Sequence, residues 1–296
     1  MNIIQVYNQF PTQDSCLEYL EKVRWNGKAV CPYCKSPRST PLPNEKRHHC
    51  NNCNTSFSVT VGTIFHKTHL DIQKWFLAVS LILNAKKGLS ARQLSRDLEV
   101  NKNTAWFMGM RIRRAMSEKG QRELLEGIVE MDETYVGGKP RKGNGGSSGS
   151  GVGNKRGRGT KKTPVVGMIE RGGDVQAEVR LDRILNNKKM MALAKSHIDP
   201  EFSTVITDQF GGYYHLNRKF DHKIIDHRFR YADGPIHTNN IESFWALLKR
   251  GIYGQYHAVS KKHLNQYIDE FCYRHNNRHN DEVFSQTIER AMGVSK

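Results

Sequence analysis

The sequence predicts a mixed α/β protein built from three consecutive parts, and three observations support this prediction. Two cysteine pairs lie near the N-terminus, residues with helical apolar periodicity follow them, and strand-like runs alternate with helices in the second half. At 296 residues the chain is long enough for about two domains with a substantial core. We expect an N-terminal segment at 1–66, a helical region at 67–122 and a mixed-sheet domain at 123–296.

The chain is strongly basic, with 46 Lys and Arg against 29 Asp and Glu and a formal net charge of +17. This excess favours a polyanionic partner, most commonly nucleic acid, although a merely soluble basic protein has the same composition. No apolar run approaches the roughly 20 residues that cross a bilayer, and the N-terminus lacks the pattern of a secretory signal. We therefore expect a cytoplasmic protein without membrane contacts, whose six cysteines are reduced.

Four of the six cysteines form two C-x2-C pairs separated by fifteen residues. This spacing is typical of structural zinc sites, in which two tight turns direct four thiolates at one point. Four sulfurs leave no open coordination position, so we predict structural Zn²⁺ rather than catalytic zinc. His48 and His49 are predicted to face solvent or nucleic acid instead of the metal. The predicted zinc ligands are Cys31, Cys34, Cys50 and Cys53.

Two short helices are predicted after the cysteine segment, one beginning with Ser90 as N-cap and one at 102–116, with the turn Glu99–Asn101 between them. The pair resembles a helix-turn-helix, whose second helix enters the major groove of DNA. A plain helical bundle with a basic surface has similar patterning, but the charge of the chain favours DNA binding. The predicted contacts are Lys102, Asn103, Thr104 and Trp106 at the leading end and Arg111, Arg113 and Arg114 further along.

A glycine-rich basic insertion runs from 137 to 162, with ten of the 25 glycines and eight Lys or Arg. Such a composition cannot bury a core. Because its charge is of one sign, we expect it to contact the phosphate backbone of DNA, the alternative being a passive loop. The candidate contacts are Lys155, Arg156, Arg158, Lys161 and Lys162.

Strand-like and helix-like runs alternate around and after this insertion. Strands are predicted at Ile128–Val136, Pro164–Arg171, Val175–Leu181, Thr204–Thr207 and Lys223–Ile225, with helical pieces at Asn187–His197 and near Tyr213–Leu216. Three strands in hairpin order, followed by helix, strand, helix and strand, is the order of a ribonuclease H-like mixed sheet.

Three acidic residues lie where these elements are expected to converge. Asp132 and Asp208 lie at or near the ends of predicted strands, and Glu242 lies at the edge of the apolar stripe of a helix at 237–250. Three carboxylates can hold two divalent cations, Mg²⁺ or Mn²⁺, for an in-line displacement at phosphorus. Lys249 shares a helix face with Glu242 and is placed to steady a phosphate.

Other acids compete for these roles. Glu133 should point to the opposite sheet face from Asp132, whereas Asp226 follows a strand-like run and could substitute for an acid of the trio. Asp233 is a third rival, and Asn240 is interpreted as a polar residue of the helix start or a substrate contact. Candidate DNA contacts around this helix are His237, Asn239 and Arg250.

At these residues the chain resembles the zinc-ribbon insertion-sequence transposases of the DDE class. The resemblance covers nearly the whole chain, and the 33 residues between Asp208 and Glu242 fit the short second spacing of such enzymes. It implies a ribonuclease H-like catalytic domain, a Mg²⁺-dependent triad of Asp132, Asp208 and Glu242, and Lys249 as its usual basic follower. The matching stretches are Cys31–Cys34, Cys50–Cys53, Met131–Gly138, Thr207–Asp208, His237–Gly251, Tyr253–His257, Tyr267–Phe271 and Asn276–Arg278.

We therefore expect a bacterial DNA transposase that binds terminal inverted repeats, cleaves transposon ends and joins the freed 3′-hydroxyl to target DNA. The expected cofactors are two Mg²⁺ or Mn²⁺ ions per active site and structural Zn²⁺, and the expected partners are the double-stranded DNA of transposon ends and target. Two ends must be cut together, so we expect a homodimer or larger assembly on DNA, associated with the nucleoid. The alternatives are a metal-dependent nuclease or junction resolvase, and a non-catalytic DNA-binding regulator.

Overall fold

The computed structural model describes residues 1–117, 123–137, 162–229 and 232–293. The chain divides into two compact units, Met1–Ser117 with His279–Lys296 and Glu118–Arg278. Of the predicted basic insertion, only Gly137 and Lys162 fall within the described residues. In those same residues, no helix has the length and apolar character needed to cross a membrane.

The secondary-structure elements alternate as the sequence predicts in the second half of the chain. The α-helices are α1 (Ile3–Gln9), α2 (Gln13–Trp25), α3 (Ile72–Asn84), α4 (Ala91–Asp97), α5 (Lys102–Met116), α6 (Asn187–His197), α7 (Asn239–Arg250), α8 (Leu264–Asn276) and α9 (Val283–Ala291). The strands are β1 (Ser39–Leu42), β2 (Arg47–Cys50), β3 (Thr55–Phe57), β4 (Leu125–Val136), β5 (Thr163–Glu170), β6 (Val175–Val179), β7 (Ile198–Asp208) and β8 (Asp221–Ile225).

The first unit combines a small sheet with a helical core. Strands β1, β2 and β3 form an antiparallel sheet in that order. In the helical core, Phe76 of α3 packs edge-on against Phe10, with ring centroids 4.9 Å apart, and against Phe284 of α9 at 5.8 Å. Edge-to-face aromatic pairs add to the stability that burial provides. The helices of this unit therefore share one aromatic core.

Helix α9 belongs to the first unit although it follows the second unit in the sequence. We expected the last domain to run from 123 to 296, but the second unit ends at Arg278. The physical reason is the apolar face of α9, where Phe284 and Ile288 are fully buried in contact with elements of the first unit, including α3 and α5.

The two helices predicted around residues 90 and 102 are present as α4 and α5. The Ser90 side chain accepts a hydrogen bond from the Gln93 amide, and Asn101 accepts one from the Asn103 amide, so each helix begins at a capping residue. Leu94 of α4 is buried, and α4 packs on α5. The pair has the helix lengths and the short turn of the predicted helix-turn-helix.

The second unit is built on a five-stranded mixed sheet in the order β6-β5-β4-β7-β8. β4 pairs antiparallel with β5, and β5 pairs antiparallel with β6, whereas the β4–β7 and β7–β8 pairs are parallel. Three strands in hairpin order, followed by parallel strands reached through α6, form the ribonuclease H-like mixed sheet that the element order predicts. The fold class is thus confirmed.

Helices cover both faces of this sheet. On one face, α7 packs onto the sheet through Ile241, Phe244 and Trp245, and α8 packs there through Ile268 and Phe271. On the other, α6 and the 3-10 turn Gly211–Arg218 pack onto β4 and β7. Trp245 lies so close to Gly167 of β5 that a Cβ atom there would be 2.6 Å from the indole ring. Glycine at 167 therefore lets α7 lie directly on the sheet beside Asp132, which pairs with Gly167.

Candidate active site and zinc centre

The four paired cysteines meet at one point of the small sheet. The Sγ atoms of Cys31 and Cys53 are 3.7 Å apart, those of Cys34 and Cys50 are 3.5 Å apart, and all four lie within 4.8 Å of one another. Tetrahedral zinc with Zn–S bonds of about 2.3 Å requires sulfur atoms about 3.8 Å apart. Hydrogen bonds, the largest from the backbone amide of Ser36, lower the pKa of Cys34 to about 6, whereas burial and the other three cysteines raise the pKa of Cys53 to about 11. These cysteines form a structural zinc site.

His48 was predicted to face solvent or nucleic acid, but its side chain is largely buried. Its ring stacks on Phe57, with centroids 5.6 Å apart, and packs edge-on against Trp25 at 5.1 Å. Its Nε2 atom lies 2.9 Å from a carboxylate oxygen of Glu21. His49, the next residue of β2, points to the other side, where its Nδ1 atom lies 3.4 Å from the Ser56 hydroxyl. His48 is therefore part of the packing of the ribbon.

Asp132 and Asp208 lie on neighbouring parallel strands. The register pairs Met131 of β4 with Thr207 of β7, which brings the two aspartates that follow these residues to the same level. Asp208 is the last residue of β7, as expected. Asp132 is not at the end of β4, because that strand continues to Val136 in pairing with β5 alone. Asp132 instead marks the point where the pairing of β4 with β7 ends.

Glu242 is presented by the first turn of α7. One of its carboxylate oxygens accepts a hydrogen bond from the Thr238 hydroxyl at 2.9 Å and lies 3.6 Å from Nε2 of His227. The side chain is 47% exposed, so it has room for a ligand besides these two partners.

The acids act on one another electrostatically. Burial raises the pKa of Asp132 to about 8, and the negative charges of Glu133, Asp208 and Glu242 add to this rise. A carboxyl group with this pKa is mostly protonated at neutral pH unless a cation compensates the charge of its ionised form. The structure thus brings the three predicted acids into one electrostatic cluster.

The donor set of this cluster fits a hard divalent cation. Three carboxylates from β4, β7 and α7 offer anionic oxygens, the ligands that Mg²⁺ and Mn²⁺ prefer. Unlike the zinc ligands, these three acids do not have oxygens that all lie within 4.8 Å of one another; within the described ranges only the four cysteines meet that distance.

Trp245 and Lys249 line the same face of α7 as Glu242. The indole N–H of Trp245 donates to Asp132 Oδ2 at 3.1 Å and so holds that carboxylate. Desolvation lowers the pKa of Lys249, and the charge of Asp132 opposes this shift, which places the ammonium group near Asp132. Positions 242, 245 and 249 are spaced by one and two helical turns, so α7 presents an acid, a donor and a cation in a row.

The rival acids have other partners. Glu133 points to the opposite sheet face, as predicted, where it accepts a hydrogen bond from the Tyr213 hydroxyl at 2.8 Å. Asp226 pairs with Arg228 through a nitrogen–oxygen distance of 3.0 Å, and this pairing lowers the pKa of Asp226. Asp233 forms a backbone bridge with Ile236. Asp226 therefore has an ion-pair partner two residues along the chain.

The predicted DNA contacts on α5 fall into two groups, one exposed to solvent and one at least partly buried. Lys102 and Asn103 are exposed, and Trp106 keeps 42% of its surface. Arg113 is buried on the core face at 3% exposure, so its assignment as a phosphate contact is corrected. The remaining residues of the set are the half-buried Thr104 and the exposed Arg114.

Arg111 is held by the protein itself. Its NH1 atom donates to the carbonyl oxygens of Ile64 and His66 at 2.7 and 2.8 Å, and its guanidinium lies over the Phe107 ring at 4.2 Å. These contacts occupy one guanidinium nitrogen, and the role of the partly exposed Arg111 as a phosphate contact stays a prediction.

The residues near α7 that were predicted to contact DNA differ in whether they already have partners within the protein. His237 is engaged by the protein, because its Nδ1 atom lies 3.0 Å from Arg171 NH2 and 3.3 Å from Glu130 Oε1. Asn239 and Arg250 are exposed. Of the insertion, the Lys162 ammonium lies 5.9 Å from the centre of the Tyr253 ring. The other predicted contacts of the insertion, Lys155, Arg156, Arg158 and Lys161, lie outside the described residues.

Sequence reasoning missed the polar partners of the acid cluster. Glu130 lies two residues before Asp132, on the same face of β4, and this spacing was an available signal. Its partner Arg171 is 41 residues away, and no local pattern predicts their pairing. Trp245 was attributed to the apolar stripe alone, since a stripe does not indicate where an indole N–H points.

The mixed sheet with acids on its adjacent strands is typical of enzymes of the polynucleotidyl transferase and nuclease type. The residue pattern of the ISXO2-like transposase domain matches residues 124–276, and that of the transposase zinc-ribbon domain matches residues 11–56. The chain belongs to the ISXO2-like transposase family and is a DNA transposase. The zinc ribbon, predicted from cysteine spacing, is confirmed.

One relative and two solved structures are also similar to this chain. An uncharacterized protein in the transposable element ISH50 of Halobacterium salinarum is 29% identical over 294 residues, which is 96% of this chain and 95% of that protein. The Mos1 strand transfer complex matches with a TM-score of 0.31 and 12% identity, over 74% of this chain and 75% of that chain. A Mos1 paired-end complex with the left transposon end matches with a TM-score of 0.30, 12% identity and the same coverages.

Proposed function

We propose that this transposase cleaves the ends of its own element and joins the freed 3′-hydroxyl to target DNA, with Asp132, Asp208 and Glu242 as the metal-binding acids. The observation that supports this most directly is the raised pKa of Asp132. Burial and the neighbouring charges of Asp208 and Glu242 make a single anionic carboxylate unfavourable there, and a bound cation removes that cost.

The proposed cofactors are two Mg²⁺ or Mn²⁺ ions. When bound between carboxylates, such ions activate the attacking oxygen and stabilise the leaving oxygen at phosphorus. The residues of this chain then have distinct roles. Asp132, Asp208 and Glu242 would hold the ions through their carboxylate oxygens, and the Trp245 N–H fixes the Asp132 carboxylate.

Lys249 is proposed to steady a non-bridging oxygen of the phosphate. It lies on the same face of α7 as Glu242 and close to Asp132, and desolvation makes its ammonium group a stronger partner for an anion. A DNA phosphate that reaches the acids would therefore meet a positive charge on one side and the cations on the other.

The exposed leading end of α5 is proposed to read the terminal inverted repeats. Lys102, Asn103 and Trp106 are accessible there, and Arg114 is accessible further along the helix. The basic arm of 137–162 and the exposed Asn239 and Arg250 are proposed to contact the phosphate backbone. Because two ends are cut together, a homodimer or larger assembly on DNA is proposed.

A strand-transfer assay tests the function as a whole. The purified protein would be incubated with a duplex that carries the end of the element and a free 3′-hydroxyl, together with target plasmid and Mg²⁺. Joined products support the proposal, and cleavage without joining would indicate a nuclease or resolvase. A shifted band with neither product would indicate a DNA-binding regulator.

A further inference from the structure

Glu130 is a fully buried carboxylate at the N-terminus of α7. Its side chain has 0% exposure and accepts hydrogen bonds from the amides of Asn240 at 2.8 Å and Ile241 at 3.1 Å. The Asn240 side-chain amide donates to it at 2.7 Å, and Arg171 Nε donates at 2.8 Å. The first amides of a helix have no partners within the helix, and the helix dipole favours a negative charge at this end. Glu130 supplies both the missing hydrogen-bond acceptor and the negative charge.

This arrangement replaces the ordinary cap of α7. Thr238 occupies the N-cap position, where a threonine hydroxyl normally accepts a hydrogen bond from the helix amides, yet it makes no such bond. Its hydroxyl instead donates to the carboxylate of Glu242 at 2.9 Å. Because Glu130 has taken over the free amides, the Thr238 hydroxyl is available to fix the third acid.

Arg171 fixes the chain just before the helix. Its NH2 atom donates to the His237 carbonyl oxygen at 2.9 Å, while its Nε atom bonds Glu130. The Glu130–Arg171 pair therefore connects β4 to residues 237–241. Since Glu130 and Asp132 are two residues apart on one face of a strand, roughly 6.6 Å separates them along β4.

We propose that Glu130 is a positioning residue, which caps α7 from β4 and thereby frees Thr238 to hold the carboxylate of Glu242. The inference rests on the proposed function, because it concerns the same acid site. Glu130 itself has no exposed surface and is surrounded by donors, so it acts on the site through the start of α7 and not as a ligand.

The chain offers a matched control for this role. Glu270 of α8 also has 0% exposure, bonds Arg274 NH1 at 2.8 Å and accepts a hydrogen bond from the Tyr256 hydroxyl at 2.9 Å. It does not contact the helix that carries Glu242 through any of these bonds. Glu130→Gln and Glu270→Gln therefore remove a comparable buried charge, and only the first takes a charged acceptor from the N-terminus of α7 and replaces one acceptor oxygen there with an N–H donor.

The test is Mn²⁺ binding by the full-length protein, followed by the electron paramagnetic resonance signal of free Mn²⁺. We expect Glu130→Gln to raise the dissociation constant for Mn²⁺ by roughly tenfold or more, as loss of a partner behind a metal ligand does. Glu270→Gln should leave it unchanged while lowering the melting temperature. Wild-type affinity in Glu130→Gln, or equal weakening in both variants, would overturn the proposal.

A second pair of variants covers the case in which Glu130→Gln does not fold. Thr238→Val removes the hydroxyl but keeps the side-chain shape, so Mn²⁺ binding should weaken without loss of the folded helix, and Thr238→Ser should restore it. Equal affinities in Val and Ser variants contradict the proposal. End cleavage is measured separately: wild-type protein that binds Mn²⁺ without cleaving ends contradicts the proposed function, while the Mn²⁺ comparison still decides the role of Glu130.

Discussion

Asp132 combines features that ordinary surface acids do not share. It lies on an internal strand, receives the Trp245 N–H and is surrounded by three further acids, so burial and repulsion both raise its pKa. An acid of this kind destabilises the metal-free fold once it ionises. Such a cost at a buried position is typical of a functional site.

The first prediction is that Asp132→Asn abolishes end cleavage but not DNA binding. The amide keeps the size of the side chain and loses the charge that two cations share, so the cleavage rate should fall at least ~1,000-fold. Gel shift with the end duplex should be unchanged, since the residues proposed to contact DNA lie elsewhere. Retained cleavage by the variant would remove Asp132 from the metal site.

The second prediction concerns pH in the absence of metal. The pKa of Asp132 is raised to about 8 in the folded protein from an ordinary value of 3.8, so the folded state holds a proton that the unfolded state has lost between these pH values. Stability should therefore fall as pH rises from 4 to 8, by at least ~2 kcal/mol from this group. The free energy of unfolding at each pH is measured by urea denaturation in the presence of EDTA.

Asp132→Asn is also the control for this measurement, because asparagine does not titrate. The variant should lose less stability than wild type over the same pH range, and added Mn²⁺ should reduce the pH dependence of wild type. Parallel stability curves for the two proteins would show that Asp132 does not titrate in this range.

At the scale of elements, the site depends on how closely α7 approaches the sheet. Gly167 has no side chain beneath the indole of Trp245, and this absence lets α7 place Glu242, Trp245 and Lys249 beside β4. The third prediction is that Gly167→Ala lowers stability by ~1–3 kcal/mol, since the added methyl overpacks the interface. Denaturant unfolding measures the loss, and cleavage should fall with it as Trp245 moves from Asp132.

Gly254→Ala is the matched substitution. A Cβ atom at Gly254 meets no atom within 4 Å, and the residue lies in the π-helical turn that follows α7. Its stability should remain within about 0.5 kcal/mol of wild type. An equal loss in both variants would show that glycine content, rather than the approach of Trp245, determines the effect.

The zinc ribbon is a second element whose geometry has a direct test. The fourth prediction is that the protein contains one zinc per chain and that Cys50→Ser loses it, because three thiolates cannot complete the tetrahedral shell. Elemental analysis by mass spectrometry measures the metal. Cys272→Ala, a change at a buried cysteine of α8, should retain full zinc; loss of zinc there would contradict the assignment.

At the scale of the whole molecule, the net charge of +17 predicts how DNA binding depends on salt. The fifth prediction is that log K falls steeply with log salt, by about 0.9 for each phosphate neutralised. Arg114→Gln should reduce the slope by about 1 if this exposed arginine contacts a phosphate. Fluorescence anisotropy between 50 and 200 mM salt measures both, and a flat response would contradict extended backbone contacts.

The parts of the molecule predicted from sequence are those with local signals. Cysteine spacing indicated the zinc site, strand order indicated the mixed sheet, and alternation along β4 placed Glu133 opposite Asp132. Burial set by tertiary packing had no such signal. Arg113 and Arg111 were predicted to meet phosphates because they are basic residues on a helix, yet one faces the core and the other binds backbone carbonyls.

Long-range pairing was likewise not predictable from one sequence. The Glu130–Arg171 bond, the donation from Trp245 to Asp132, and the packing of α9 all join residues far apart in the chain. Each depends on where an entire element settles, which periodicity does not specify.

The return of α9 to the first unit has a consequence for synthesis on the ribosome. Phe76 and Phe10 lack the Phe284 ring until α9 has been translated and has left the exit tunnel. The aromatic core of the first unit therefore closes only after residues 118–278, which form the second unit, have been made. A nascent chain stopped before residue 283 would present that core incomplete, which couples completion of the first unit to synthesis of the second.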